Sequence, residues 1–198
     1  MNNLTIKISK SNLEDIDTIL KLYTQASLFQ QTKQSVCWGI IPRTLIEKEI
    51  DKGLQYKLTV DGKIAMIWVY TFNDPEIWKI DNNSTSIYMH RIAINPDFRG
   101  MNLISKVFEF TENYAKDLGL QLIRLDVAGF NPGLIKLYLR NCFKLFGTTK
   151  INSISNLPNH YKNVDICLFE RKVNYNFLEK LYHKFIVKEA ESNLMFLK

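Results

Sequence analysis

The chain has 198 residues, 46% of them hydrophobic, and a formal charge of +6 at neutral pH. That length suits one well-buried α/β core and is short for two ordinary domains. The lysines are spread along the chain and form no basic cluster interleaved with aromatics, which argues against a nucleic-acid binder and for a solvated basic surface.

No apolar run approaches the roughly 20 residues that cross a bilayer, and the polar start Met1-Asn2-Asn3 has no signal-peptide core, so the expectation is a cytoplasmic protein without membrane association. Cys37, Cys142 and Cys167 are far apart and lack Cys-x-x-Cys spacing, as expected of reduced, buried thiols. His160 and His183 pair with no carboxylate or cysteine at metal-ligand spacing, and no metal site is expected.

In chain order, Leu4 to Ser9 alternates as a strand, and Ser11-Asn12-Leu13-Glu14 has the form of a capping box opening a helix with Ile16, Leu20 and Tyr23 on its buried face. Ser27 to Trp38 reads as a loop. Pro42 then suits the first turn of a second helix running through Ile50 and ending near Gly53. Leu54 to Val60 and Lys63 to Tyr70 form a hairpin across Asp61-Gly62, a dipeptide that favours the tightest hairpin turn. Asn73 to Thr85 is expected to be a loop carrying Glu76 and Trp78 ahead of a central strand, Ile87 to Ile94.

The stretch that follows organises the rest. A polar turn, Asn95 to Gly100, leads into a helix whose Leu103, Val107, Phe110, Tyr114 and Leu118 recur at steps of three and four, with Gly119 as its stop. At the start of that helix several backbone N–H groups lack partners and point one way, so the turn suits an anion, with Arg99 as a fixed charge beside it. Leu120 to Ala128 is a further strand, parallel to the central one if the helix is a right-handed crossover. A turn at Gly129 to Gly133, a short helix from Leu134 to Asn141, and strands at Leu145 to Ile151 and Val164 to Val173 complete the domain. The loop Asn152 to Asn163 joins the last two strands. Beyond Val173, Phe177, Leu181, Phe185 and Val187 space out an amphipathic helical tail.

Arg99-Gly100-Met101-Asn102-Leu103-Ile104 sits in the register of the Arg/Gln-x-x-Gly-x-Gly/Ala signature, and Leu125-Asp126-Val127 is followed by Asn131, Leu134 and Tyr138, then Asn141-Cys142-Phe143. On these two flanks the chain resembles the GCN5-related N-acetyltransferase (GNAT) family. Asn102 stands where that signature has glycine; it tolerates the left-handed backbone better than other residues. Ile104 stands where it has Gly or Ala, and its β-branched side chain is expected to crowd a pyrophosphate there.

The resemblance implies an α/β (α+β) fold, a mostly antiparallel mixed sheet of six to seven strands with helices on both faces and a central strand–helix–strand acyl-CoA site. It implies a GNAT domain over residues 1–173 with a tail over 174–198. Acetyl-CoA would be the co-substrate and an amine-bearing small molecule or peptide the acceptor, with a homodimer left open. The backbone of Ile92, Ala93 and Ile94 would pair with pantetheine, and Arg99, Gly100, Met101, Asn102, Leu103 and Ile104 would hold the diphosphate. Asn131 would bind the pantetheine arm, and Tyr138 would protonate the departing thiolate. A phenol's ordinary pKa near 10 lies above a thiol's roughly 8.5, which suits that role.

Direct attack by an amine also needs a base, for which His90 is the best placed, with Glu76 and Tyr88 behind it. Strand alternation groups Tyr88, His90 and Ile92 on one face and Met89 and Arg91 on the other. Trp38 is read as packing with Val36 and Ile40, with the acceptor as a second reading. The alternative function is a degenerate GNAT-fold module that binds CoA or another protein without catalysis.

Overall fold

A computed structural model describes residues 4–79, 85–151, 159–161 and 163–175. Seven strands form one sheet in the order β1-β2-β3-β4-β5-β7-β6. Strand β1 (Ile6–Lys10) pairs antiparallel with β2 (Gln55–Val60), and β2 with β3 (Lys63–Thr71). The turn between β2 and β3 holds Asp61 at φ 47° and Gly62 at φ 79°, the left-handed pair that the Asp-Gly dipeptide favours. The central strand β4 (Ser86–Ile94) pairs antiparallel with β3 and parallel with β5 (Leu122–Ala128). β6 (Lys144–Lys150) and β7 (Asp165–Lys172) complete the sheet antiparallel.

Helices cover both faces. On one, α1 (Ile16–Thr32) and α2 (Arg43–Asp51) bury Ile16, Ile19, Leu22, Tyr23 and Ile46 against Ile67 and Ala93. A four-residue helix, α3 (Pro75–Trp78), packs Ile77 and Trp78 with Tyr88, Ile166 and Leu168. On the other face α4 (Leu103–Asp117) and α5 (Pro132–Arg140) bury Leu103, Val107, Phe108 and Tyr138 against Met89, Leu125 and Phe169. The parallel β4–β5 pair with α4 between them is the expected strand–helix–strand crossover.

Several elements differ from their expected form. Helix α1 runs on through Thr32, so the first part of the expected Ser27 to Trp38 loop is helical; there Ser27 Oγ donates to the Trp38 carbonyl and Gln30 Oε1 accepts from Trp38 N–H at 3.3 Å, tying the helix end to the strap. The entry cap lies one residue later than read, with the Asn12 backbone N–H donating to the Asp15 carboxylate at 2.8 Å ahead of a 3-10 turn at Leu13–Asp15. The α4 stripe shifts as well. Val107, Phe108, Thr111 and Ala115 are fully buried, Phe110 and Tyr114 pack at its margin, and Leu118 is exposed. The expected loop after β3 contains α3. Cys167 is buried, but Cys142 is exposed and sits at φ 64° just past α5. The amphipathic tail and most of the Asn152 to Asn163 loop lie outside the described residues.

A strap from α1 to α2 is pinned over the end of β5. A methyl on Gly129 would sit 2.6 Å from Val36 Cγ2, and Gly129 has φ 74°, where side chains are strained. Gly129→Ala is therefore expected to cost about 1–3 kcal/mol, read by chemical denaturation, and Val36→Ala is expected to restore only the steric part of it. A neutral Gly129→Ala would contradict the close approach.

Candidate functional site

The parallel pairing of β4 with β5 runs only from Ser86↔Leu122 to Met89↔Leu125. Just beyond it β4 bulges. Ile67 pairs with Ala93 and Val69 with His90, so Arg91 and Ile92 together oppose the single residue Trp68 on β3. Arg91 takes the left-handed φ of 49° that a non-glycine residue adopts only when held there. Its guanidinium is ion-paired with Glu49 of α2 and lies 5.7 Å from the Tyr23 ring. The strands then diverge, and a cavity of about 220 Å³ opens between them.

The bulge corrects the expected alternation. His90 faces the α1 side, Arg91 turns to that same side, and Ile92 packs with Met89 toward α4 and α5. Asn95 N–H donates to the Ala65 carbonyl on the β3 side at 2.8 Å. Along the regular strand from Ile92 to Asn95, alternation turns the N–H groups of Ile92 and Ile94 to the gap.

The cavity passes through the sheet. On the α5 side it is lined by Leu125, Asn131, Leu134 and Tyr138, and on the α1 side by Trp38, His90, Arg91, Asp126 and Tyr161. Asn131 caps α5, its Oδ1 accepting from Leu134 N–H at 3.1 Å, and its amide donates to Ser35 Oγ of the strap at 3.2 Å. Tyr138 is at once a core aromatic, packed with Phe108, Phe143 and Phe169, and part of the cavity wall. Burial pushes its phenol up, and the Asp126 charge adds to the shift.

Trp38 likewise does two things: it meets Tyr23 edge-on at 5.7 Å and lines the cavity, while Ile40, its expected packing neighbour, is 98% exposed. Ile92, Ala93, Ile94 and Arg99 line the cavity too.

At the foot of α4, Gly100 has φ 85° and Asn102, the residue before the helix, has φ 53°. The glycine-like backbone is thus present without the glycine. Leu103 is buried in the core, Met101 is partly exposed, and the Ile104 side chain packs against the main core cluster instead of lining the cavity. The first amides of α4 lack intrahelical partners by construction. Arg99 stands beside them with its guanidinium 4.1 Å over the Phe29 ring of α1. An open strand edge, free amides and an exposed cation suit an amide-bearing chain that ends in a diphosphate.

Of the three base candidates, His90 alone reaches the cavity. Tyr88 is buried behind it with its hydroxyl accepting from Arg124 at 3.1 Å, and Glu76 lies on α3, away from the lining. Three partners of His90 were not singled out in the sequence. Asp126 Oδ1 lies 3.5 Å from Nδ1, Asp74 Oδ2 lies 3.7 Å from Nε2, and Thr71 Oγ1 is 3.1 Å from Nε2. Tyr161 donates to Asp126 Oδ2 at 2.9 Å.

The visible signal was Asp126 itself, an acid in an otherwise apolar strand. Nothing local joins it to residues 74, 90 and 161. Among the described residues Asp74, His90 and Asp126 are also the group that could hold a metal ion. The two carboxylates address opposite ring nitrogens, however, an arrangement that suits a proton on the imidazole better than one cation shared by all three.

Burial raises the Asp74 carboxyl to about 6, against the pull of His90 and with some help from Asp126. Burial also lowers the His160 imidazole. Because Asp74 binds its proton more tightly folded than unfolded, its ionisation costs stability as pH rises from about 4 to about 6 and then no further. Asp74→Asn is thus expected to become more stable than the parent over that window, by on the order of 1–3 kcal/mol above pH 6, in melting curves taken across pH. A difference that does not change with pH would contradict the buried, raised carboxyl.

A model of the acetyltransferase (GNAT) family matches residues 30–142. The chain is 25% identical over 142 residues to the uncharacterized N-acetyltransferase YesJ of Bacillus subtilis (strain 168), spanning 68% of this chain and 79% of that one. Its fold is similar to that of a GNAT family acetyltransferase from Listeria monocytogenes 4b F2365, with a TM-score of 0.67 and 19% identity over 86% of this chain and 99% of that one. It is also similar to yncA from Salmonella typhimurium, whose structure holds its cofactor acetyl-CoA, with a TM-score of 0.61 and 13% identity over 87% and 96%. No helix among the described residues is long and apolar enough to cross a membrane.

Proposed function

The chain belongs to the GNAT acetyltransferase family, with acetyl-CoA as its co-substrate, and from that premise we propose that it acetylates a primary amine by direct attack across the parting of β4 and β5. The observation that carries this reading is the cavity through the sheet, with a buried phenol on one side and an imidazole between carboxylates on the other.

In this reading the amides after Phe98 and the Arg99 guanidinium receive the diphosphate, and the N–H groups of Ile92 and Ile94 hold the pantetheine arm as though it were an added strand. Asn131 completes that grip. One of these strand amides donates to the thioester oxygen as negative charge gathers on it. The acceptor enters from the α1 side, between Trp38 and Tyr161. An amine arrives as an ammonium and must shed a proton before its lone pair can attack. His90 takes that proton, directly or through water.

The nitrogen–carbon bond forms as the carbon–sulfur bond breaks. Tyr138 gives its proton to the leaving sulfur, and the nitrogen's second proton restores the phenol. One proton, the first, is released per turnover. Burial keeps Tyr138 protonated at neutral pH, the state an acid needs. The alternative of a degenerate binding module loses its motive, since the partly buried Ile104 packs against the core cluster away from the cavity and Asn102 takes the left-handed backbone.

Tyr138→Phe is expected to lower kcat about 10²-fold while leaving CoA affinity within about twofold, read by thiol release with a panel of amines and by calorimetry. Unchanged kcat would remove Tyr138 as the acid. CoA binding without turnover of any amine would favour the binding module.

A further inference from the structure

Asp74 lies outside the cavity, on the far side of His90 from the acceptor. It is 8% exposed, its Oδ2 accepts no hydrogen bond among the described residues, and that oxygen lies 3.7 Å from His90 Nε2. Leaving a carboxylate oxygen buried and unmatched is costly unless a positive charge appears beside it. When His90 takes a proton, both ring nitrogens carry hydrogen and a carboxylate faces each. Thr71 can donate to Nε2 of the neutral ring and accept from the charged one, because its hydroxyl turns.

We propose that Asp74 is a positioning residue for the transfer, one that holds the Nε2 edge of His90 and balances the charge the imidazole gains when it removes the proton of the incoming ammonium. This rests on the acetyltransferase reading above. In balance, the N–H bond of the ammonium breaks, its electron pair stays on nitrogen, and the proton bonds to the imidazole. The Asp74–His90–Asp126 group then carries one negative charge where it carried two. That net attraction also favours a cationic amine at the mouth over an acceptor bearing a carboxylate.

Asp74 must be ionised to do this. The groups facing it are His90 on β4, Asp126 on β5 with Tyr161 and His160 beyond it, and Glu76 on its own helix. Burial is the largest influence among them and holds the Asp74 carboxyl up to about 6.

The test is kcat at saturating amine and acetyl-CoA from pH 5 to 8, where the profile reports groups in the bound complex and not the free amine. The parent is expected to show a limb rising through about pH 6. Asp74→Asn should lower the plateau about 10- to 100-fold, move that limb to lower pH because the protonated imidazole loses a facing carboxylate, and leave acetyl-CoA affinity unchanged. Asp74→Ser likewise removes the charge, leaves a small polar side chain at the start of α3, and must behave in the same way should the Asn variant fail to fold. A limb at the same pH in the folded variant, or a plateau equal to that of the parent, overturns the role of Asp74. Absence of turnover in the parent protein would instead defeat the acetyltransferase reading on which it rests.

Discussion

Four residue pairs of parallel β4–β5 ladder, followed by the bulge at Arg91, set the geometry on which the rest of the site depends. A parallel pair that continued would satisfy its own backbone groups and leave no gap. The extra residue in β4 bends the strand and sharpens its twist. The left-handed conformation of Arg91, which costs roughly 1–2 kcal/mol, is held by its ion pair with Glu49 and its contact with Tyr23. A structural ion pair under α1 and α2 thereby keeps a strand edge open on the far side of the same residue.

The parting also sorts the chemistry by face. β5 places Leu125 and Val127 toward α4 and α5 and Asp126 toward α1, while β4 after the bulge places Ile92 and Ile94 toward α4 and α5. The phenol of Tyr138 therefore meets the gap from an apolar, aromatic wall, and His90 meets it from a polar wall that includes Asp126, Tyr161 and Arg91. One wall disfavours charge and keeps an acid protonated. The other stabilises a proton that arrives. The acid and the base are kept apart by the sheet itself.

Local sequence carried most of the fold. Alternation and the Asp61-Gly62 turn fixed the β2–β3 hairpin, and the spacing from Leu103 placed α4, because each depends on residues a few positions apart. The resemblance supplied the mostly antiparallel sheet with helices on both faces. What local pattern could not show was the bulge, since Arg91 and Ile92 look like ordinary strand residues until β3 is laid beside them. Reading His90 and Ile92 onto one face followed from that.

The base's partners were hidden for a related reason: Asp74 and Asp126 come from elements separated by α4, and only the sheet order brings both to His90. The helical end of α1 is not legible locally because Ser27 and Gln30, residue types that usually mark loops, are held there by hydrogen bonds to Trp38, eleven and eight residues further on.

Amide hydrogen exchange, measured residue by residue with and without coenzyme A, probes the central claim most directly. The account predicts that the amides of Ile92 and Ile94, together with those following Phe98, slow on addition of coenzyme A, while the β2–β3 hairpin does not change. Protection that appears elsewhere and leaves Ile92 and Ile94 exchanging as before would contradict it.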